Sequence, residues 1–138
     1  PKVRDEHWCL SPIDQFILSK LEAQGLRPAK DASKATWLRR VTFDLTGLPP
    51  KETEVRTFLE DNSPQAFHLV VDRLLASPAY GERWGRHWLD VARYADTHGL
   101  HLDNERNMWA YRDWVVRAFN ENLSFDQFSV WQIDIVFS

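Results

Sequence analysis

Three Ser-Pro pairs, Ser11-Pro12, Ser63-Pro64 and Ser77-Pro78, punctuate this sequence and constrain its fold more than any other feature. A serine oxygen can cap the first amides of a helix. Proline suits the first helical position because its missing N–H would find no partner there. Proline also drives the residue before it out of the helical region, so each pair ends one segment and opens the next. Between the pairs, apolar residues recur at helical spacing, and no run has the alternation of a strand. Ile13, Phe16, Ile17 and Leu21 form one stripe, stopped by Gly25 with Leu26 and Pro28 beyond it. A second helix is predicted from about Ser33 to Thr46, with Trp37, Leu38, Val41 and Leu45 on its apolar face. Arg40 stands four residues before Asp44 there, the spacing of a surface pair, and Gly47 and Pro49-Pro50 end the helix. A short helix at about 52–61 turns Val55, Phe58 and Leu59 inward, and Phe67, Val70, Val71, Leu74 and Leu75 repeat after the second Ser-Pro pair. The predicted fold class is all-α: a single helical domain of about six or seven helices over residues 1–138.

The third Ser-Pro pair opens the segment expected at the centre, a long helix over about 78–96. At 100° per residue, Trp84, Trp88, Val91, Ala92 and Ala95 fall on one arc, and this arc is predicted to face the core. Arg83, Arg86, His87, Asp90, Arg93 and Tyr94 fall on the other, which sets one carboxylate among three arginines, a histidine and a tyrosine. Gly81 and Gly85 lie four apart, which fits either a loose helix start or a close approach by another backbone or a ligand. A further helix is expected at about 108–120. Arg112 projects there into the arc of Trp109, Trp114, Val115, Val116 and Phe119. A guanidinium on such an arc must find a carboxylate or carbonyls, and Asp90 and Asp96 are the natural candidates. Ser124-Phe125-Asp126-Gln127 reads as a capping box for a last helix carrying Phe128, Trp131 and Ile133.

Seven tryptophans in 138 residues promise a core with polar contacts, because each buried indole brings an N–H that needs an acceptor. A net charge of −3 argues against nucleic acid as a partner. No apolar run approaches the ~18–20 residues of a membrane span, and no signal peptide is visible. The single cysteine, Cys9, permits no intrachain disulfide and lacks the companions of a c-type haem site.

Three groups of residues could carry chemistry. The first is the polar stripe with its neighbours: Arg86, Asp90, Arg93, Tyr94, Asp96 and Arg112. It reads either as a pocket for an anionic or sugar-like ligand flanked by tryptophans, or as a buried Arg–Asp network pinning two helices. The second is Asp96, His98, His101 and Asp103, whose imidazoles and carboxylates suit a divalent metal. A solvated polar loop is the other reading, since the four do not share a helix face. The third is His87 three residues before Asp90, an acid–base pair that with Asp96 makes up the candidate catalytic set. No Ser or Cys nucleophile motif and no glycine-rich phosphate loop accompanies it.

Four blocks, SPIDQFILSKLEAQGLRP, RRVTFDLTGLPP, VVDRLLASPAYGERWGRHWLDVARYADT and YRDWVVRAFNENLSFDQF, together resemble a large uncharacterised family. This family is abundant in planctomycetes and named for its association with planctomycete-type cytochrome c domains. The resemblance spans roughly residues 7–132, and the matching positions include the Arg83–Asp96 block, Asp103, Arg106 and Tyr111 to Trp114. It implies a mainly helical module of a long exported protein, periplasmic or at the cell surface, with haem c in a neighbouring domain and no cofactor in this one. It brings no catalytic residues. His98 and His101 are atypical for the family, and so are the residues from Ile133 to Ser138, so the chain is expected to be a fragment of a longer protein. The function expected is an accessory module that binds a ligand, such as a polysaccharide or an anionic group, or the neighbouring domains. The alternatives are an extracytoplasmic hydrolase or oxidase acting on such a polymer, with a divalent metal left open, and a purely structural scaffold.

Overall fold

The computed structural model describes residues 1–97 and 107–134. Among them are seven α-helices and no strand: α1 (Pro12–Ala23), α2 (Lys34–Thr46), α3 (Glu52–Glu60), α4 (Ala66–Leu75), α5 (Pro78–Val91), α6 (Trp109–Asn120) and α7 (Phe125–Asp134). The all-α class is therefore as the sequence predicts. The chain divides into two compact units, Pro1–Ala32 and Ser33–Ser138.

In the first unit the predicted punctuation forms in full. Ser11 and Asp14 make a capping box, with Asp14 Oδ2 accepting from the Ser11 amide at 2.7 Å and the Leu10 amide at 2.9 Å. These donors hold the Asp14 carboxyl below the usual carboxylate range. Gly25, at φ 69°, closes α1 with the Leu26 amide bonded to the Leu21 carbonyl. The predicted apolar stripe is not the covered face, however. Ile13, Phe16 and Ile17 are exposed, and the buried residue of α1 is Leu18.

In the second unit α2 packs against α3, α4 and α5, and α5 packs against α6. Leu38, Phe58, Ala66, Val70 and Leu74 form the core of α2, α3 and α4, with Trp37, Val41, Leu45 and Val55 against it. Trp37, Phe58 and Phe67 meet with ring centroids 4.6–5.4 Å apart, two of the three pairs edge-on. Thr42 and Thr46 are buried on α2, and each hydroxyl donates to the carbonyl four residues earlier at 2.7 Å, so neither is left unpaired. Ser63-Pro64 opens a turn rather than the helix itself, and α4 begins two residues later.

The most extensive helix contact in the fold is between α5 and α6. Its geometry corrects the predicted faces of α5. The buried residues are Gly81 and Gly85, with Trp84, Trp88 and Leu89 half-buried beside them, whereas Val91 is 72% exposed and Ala92 and Ala95 are exposed. A Cβ on Gly81 would fall inside contact distance of the Val116 carbonyl oxygen and 2.6 Å from the Asn120 amide group. A Cβ on Gly85 would sit 3.5 Å from the methyls of Val115 and Val116, an ordinary contact. Asn120 also ties the two helices. Its Oδ1 accepts the Gly81 N–H at 2.8 Å, and its Nδ2 donates to the Pro78 carbonyl at 3.2 Å. The Ser77 carbonyl is taken by the Tyr80 amide, so Asn120 supplies the partner that the first turn of α5 does not.

The long helix predicted over 78–96 is shorter, because α5 ends at Val91. Ala92 is its C-cap, and Arg93 takes a left-handed conformation at φ 56°. The Tyr94 amide then bonds back to the Leu89 carbonyl at 2.8 Å and the Arg93 amide to the Asp90 carbonyl at 3.1 Å. This is the same closure that Gly25 makes in α1 and Asn122 makes after α6, but here it is carried by neither of the residue types that favour the left-handed conformation.

The two glycines are expected to respond oppositely to alanine. Gly81→Ala must push the α6 backbone away and is expected to cost about 1–3 kcal/mol or more in urea unfolding. Gly85→Ala meets no clash and gains helix propensity, so it is expected to be neutral or stabilising by up to about 1 kcal/mol.

Candidate ligand-binding surface

The turn at the end of α5 sets Tyr94 and Asp96 beside the start of α6. The Tyr94 hydroxyl donates to Asp96 Oδ1 at 2.7 Å. That hydrogen bond to a carboxylate, aided by partial burial and the negative charge, pushes the tyrosine pKa above its ordinary value and keeps the hydroxyl protonated. Arg112 and Asp113 come from the first turns of α6, and Arg112 lies close enough to the Tyr94 hydroxyl and the Asp96 carboxylate for its charge to act on both. Tyr94, Asp96 and Arg112, three of the six predicted ligand-binding residues, are thus brought together.

Arg112 itself is not where the helical projection places it. Its side chain is 44% exposed, and it pairs with its sequence neighbour, Asp113, at 3.0 Å from Nη2 and 3.1 Å from Nε. Neither Asp90 nor Asp96 is its ion-pair partner, so the predicted buried Arg–Asp network between helices does not form. The physical reason is that α5 and α6 meet along the glycine side. The α6 residues in that contact are Val115, Val116 and Asn120, and the guanidinium is left at the rim.

Arg86, His87, Asp90 and Arg93 are all exposed, and their side chains make no hydrogen bond or ion pair among the described residues. His87 lies against Trp84, with ring centroids 5.5 Å apart, and does not pair with Asp90 as predicted. Of the predicted metal set, Asp96 is bonded to Tyr94, while His98, His101 and Asp103 lie outside the described residues. No group of three metal-ligating side chains occurs among the residues described.

An aromatic layer supports this surface from below. Tyr94 and Tyr111 have ring centroids 6.4 Å apart, Trp114 stacks on Phe128 at 5.1 Å, and Trp88 meets Phe128 edge-on at 4.9 Å. Trp88 Nε1 donates to the Tyr111 hydroxyl at 3.0 Å, which in turn donates to Gln132 Oε1 at 2.7 Å. One chain of hydrogen bonds therefore joins α5, α6 and α7 and gives the Trp88 indole its partner, whereas the buried Trp84 Nε1 has none among the described residues. Of the apolar residues on the last helix, Phe128 is the buried anchor, while Trp131 and Ile133 are exposed.

Sequence reasoning passed over Trp109, Tyr111 and Asp113 as site residues. Trp109 is 54% exposed. It stands three and four residues before Arg112 and Asp113, so all three share one helix face. The sequence carried no signal for Trp109, because its place on the apolar arc of the helix reads as core.

Residues 12–135 match the PSCyt2 family, described as a protein of unknown function (DUF1549). The chain belongs to this family. The association with planctomycete cytochrome c is carried by the PSCyt2 name itself. No curated protein and no solved structure matches the chain.

Two substitutions check this geometry. Arg112→Ala is expected to leave the unfolding midpoint where other surface substitutions leave it, because an exposed pair contributes little. A large loss would restore the buried network. Arg93→Gly is expected to raise stability by about 1 kcal/mol in urea unfolding, because the left-handed conformation penalises a side chain there.

Proposed function

We propose that this chain is a non-catalytic ligand-binding module, and that the surface formed by Tyr94, Asp96, Trp109, Arg112 and Asp113 takes a neutral, hydroxyl-rich ligand such as a polysaccharide segment. The observation that carries this reading is the half-exposed Trp109 ring on the same helix face as Arg112 and Asp113. Such an arrangement offers a flat apolar platform bordered by hydrogen-bonding groups, which suits the faces and edges of a sugar ring. The charges favour a neutral ligand over an anionic one. Two carboxylates stand against one guanidinium, and that guanidinium is already paired. Enzymatic hydrolysis or oxidation finds less support, since His87 and Asp90 are exposed and do not form an acid–base pair.

In this proposal the module works outside the cytoplasm, as one part of a multidomain protein whose haem c is held by a neighbouring domain. The family resemblance and the PSCyt2 name support that setting.

Affinity electrophoresis through gels containing dextran, galactomannan or polygalacturonate tests the reading. Retardation in a neutral-polymer gel is expected, lost in Trp109→Ala with the unfolding midpoint unchanged. Equal mobility in all gels, or full retardation of Trp109→Ala, would contradict it.

A further inference from the structure

A second cleft, with a volume of about 590 Å³, lies between α2 and α5 and shares no residue with the surface above. It is lined by Trp37, Arg39, Arg40, Val41, Phe43, Asp44 and Arg83. Three guanidiniums therefore face one carboxylate. None of the three forms an ion pair among the described residues, and the predicted pairing of Arg40 with Asp44 does not occur. A cleft in which one sign of charge predominates draws counter-charge.

Arg83 is held in place before anything binds. Its stem lies across Gly47, where an added Cβ would stand 3.0 Å from the arginine Cδ. Gly47 thus serves two ends at once: it takes the left-handed conformation that closes α2 (φ 70°), and it leaves room for the arginine. Arg83 Nε is buried and has no hydrogen-bond partner among the described residues. A buried donor without an acceptor is costly, and a bound anion beside it would supply the missing acceptor. Trp37 and Phe43 add ring surface to the same cleft.

We propose that this cleft is an oxyanion-binding site, taking a phosphate or carboxylate group carried on a small carbon frame, with Arg40 and Arg83 as its principal donors. Guanidiniums bind either group through two parallel charge-assisted hydrogen bonds. Arg83, already packed on Gly47, loses little freedom on binding. The ring surfaces of Trp37 and Phe43 give the carbon frame its contact. This site concerns different residues and a different ligand charge from the sugar-binding surface, and it stands or falls separately.

The test is thermal unfolding of the whole chain with inorganic phosphate and with citrate, each against sodium chloride at matched ionic strength. A ligand that binds the folded state raises the midpoint in a saturable way, whereas charge screening depends on ionic strength alone. A saturable rise is expected with at least one of the two anions. Phosphate alone would assign a tetrahedral oxyanion, citrate alone a carboxylate, and both the shared chemistry. Arg40→Gln and Arg83→Gln are each expected to weaken the response about tenfold, the effect of losing one charge-assisted contact. Arg56→Gln, at an exposed position of α3, should leave it unchanged. Arg40 is exposed on α2, so its variant carries the test if Arg83→Gln fails to fold. Midpoints that follow ionic strength alone, or an Arg40→Gln response equal to that of the unaltered chain, would overturn the proposal.

Discussion

The rest of the second unit depends on the backbone-level contact between α5 and α6. Two glycines one helical turn apart remove the side chains that normally keep helices separated by 8–10 Å or so. The gap is filled by Val115, Val116 and Asn120. Dispersion alone would allow these helices to slide. The Asn120 side chain prevents that by accepting from the Gly81 amide and donating to the Pro78 carbonyl, which fixes both register and rotation. Once this register is set, Trp88 reaches Tyr111, Tyr111 reaches Gln132, and Phe128 fills the space between Trp88 and Trp114. The site surface lies at the far end of the same pair of helices, where α5 stops and α6 begins.

What surrounds that contact is divided by charge. At the rim of α6, carboxylates and a paired arginine border exposed aromatic surface. Between α2 and α5, three arginines stand with a single carboxylate. The overall charge of −3 hides this separation, because a net value says nothing of which helix carries which sign. The two proposals accordingly name different ligands, one neutral and hydroxyl-rich, the other anionic.

Helix existence was largely legible in the sequence, because starts and stops are local chemistry. Ser11 and Asp14, Ser33, Gly25 and Gly47 act within a few residues of themselves, and each performs the role its type predicts. The end of α5 was not legible, since the left-handed position is occupied by Arg93 instead of glycine or asparagine. Faces were harder than ends. A helical projection weighs hydrophobicity, and on that scale Gly81 and Gly85 count for little beside Val91, yet close approach is decided by what is absent from a side chain. Arg112 was misplaced for the same reason: the apolar arc around it is real, but the contact with α5 uses only its Val115–Val116 part. For the site, sequence spacing reached Tyr94, Asp96 and Arg112. Trp109 was hidden because an aromatic on an apolar arc looks like core until the packing is known.

Hydrogen exchange at the Gly81 amide tests the central claim most directly. An amide in the first turn of a helix ordinarily exchanges through local fraying. If Asn120 locks α5 to α6, the Gly81 amide should exchange only through global unfolding, with the same opening free energy as the interior of α5, and Asn120→Ala should release it. Rapid exchange at Gly81 in the unaltered chain, while the interior of α5 stays protected, would contradict the account.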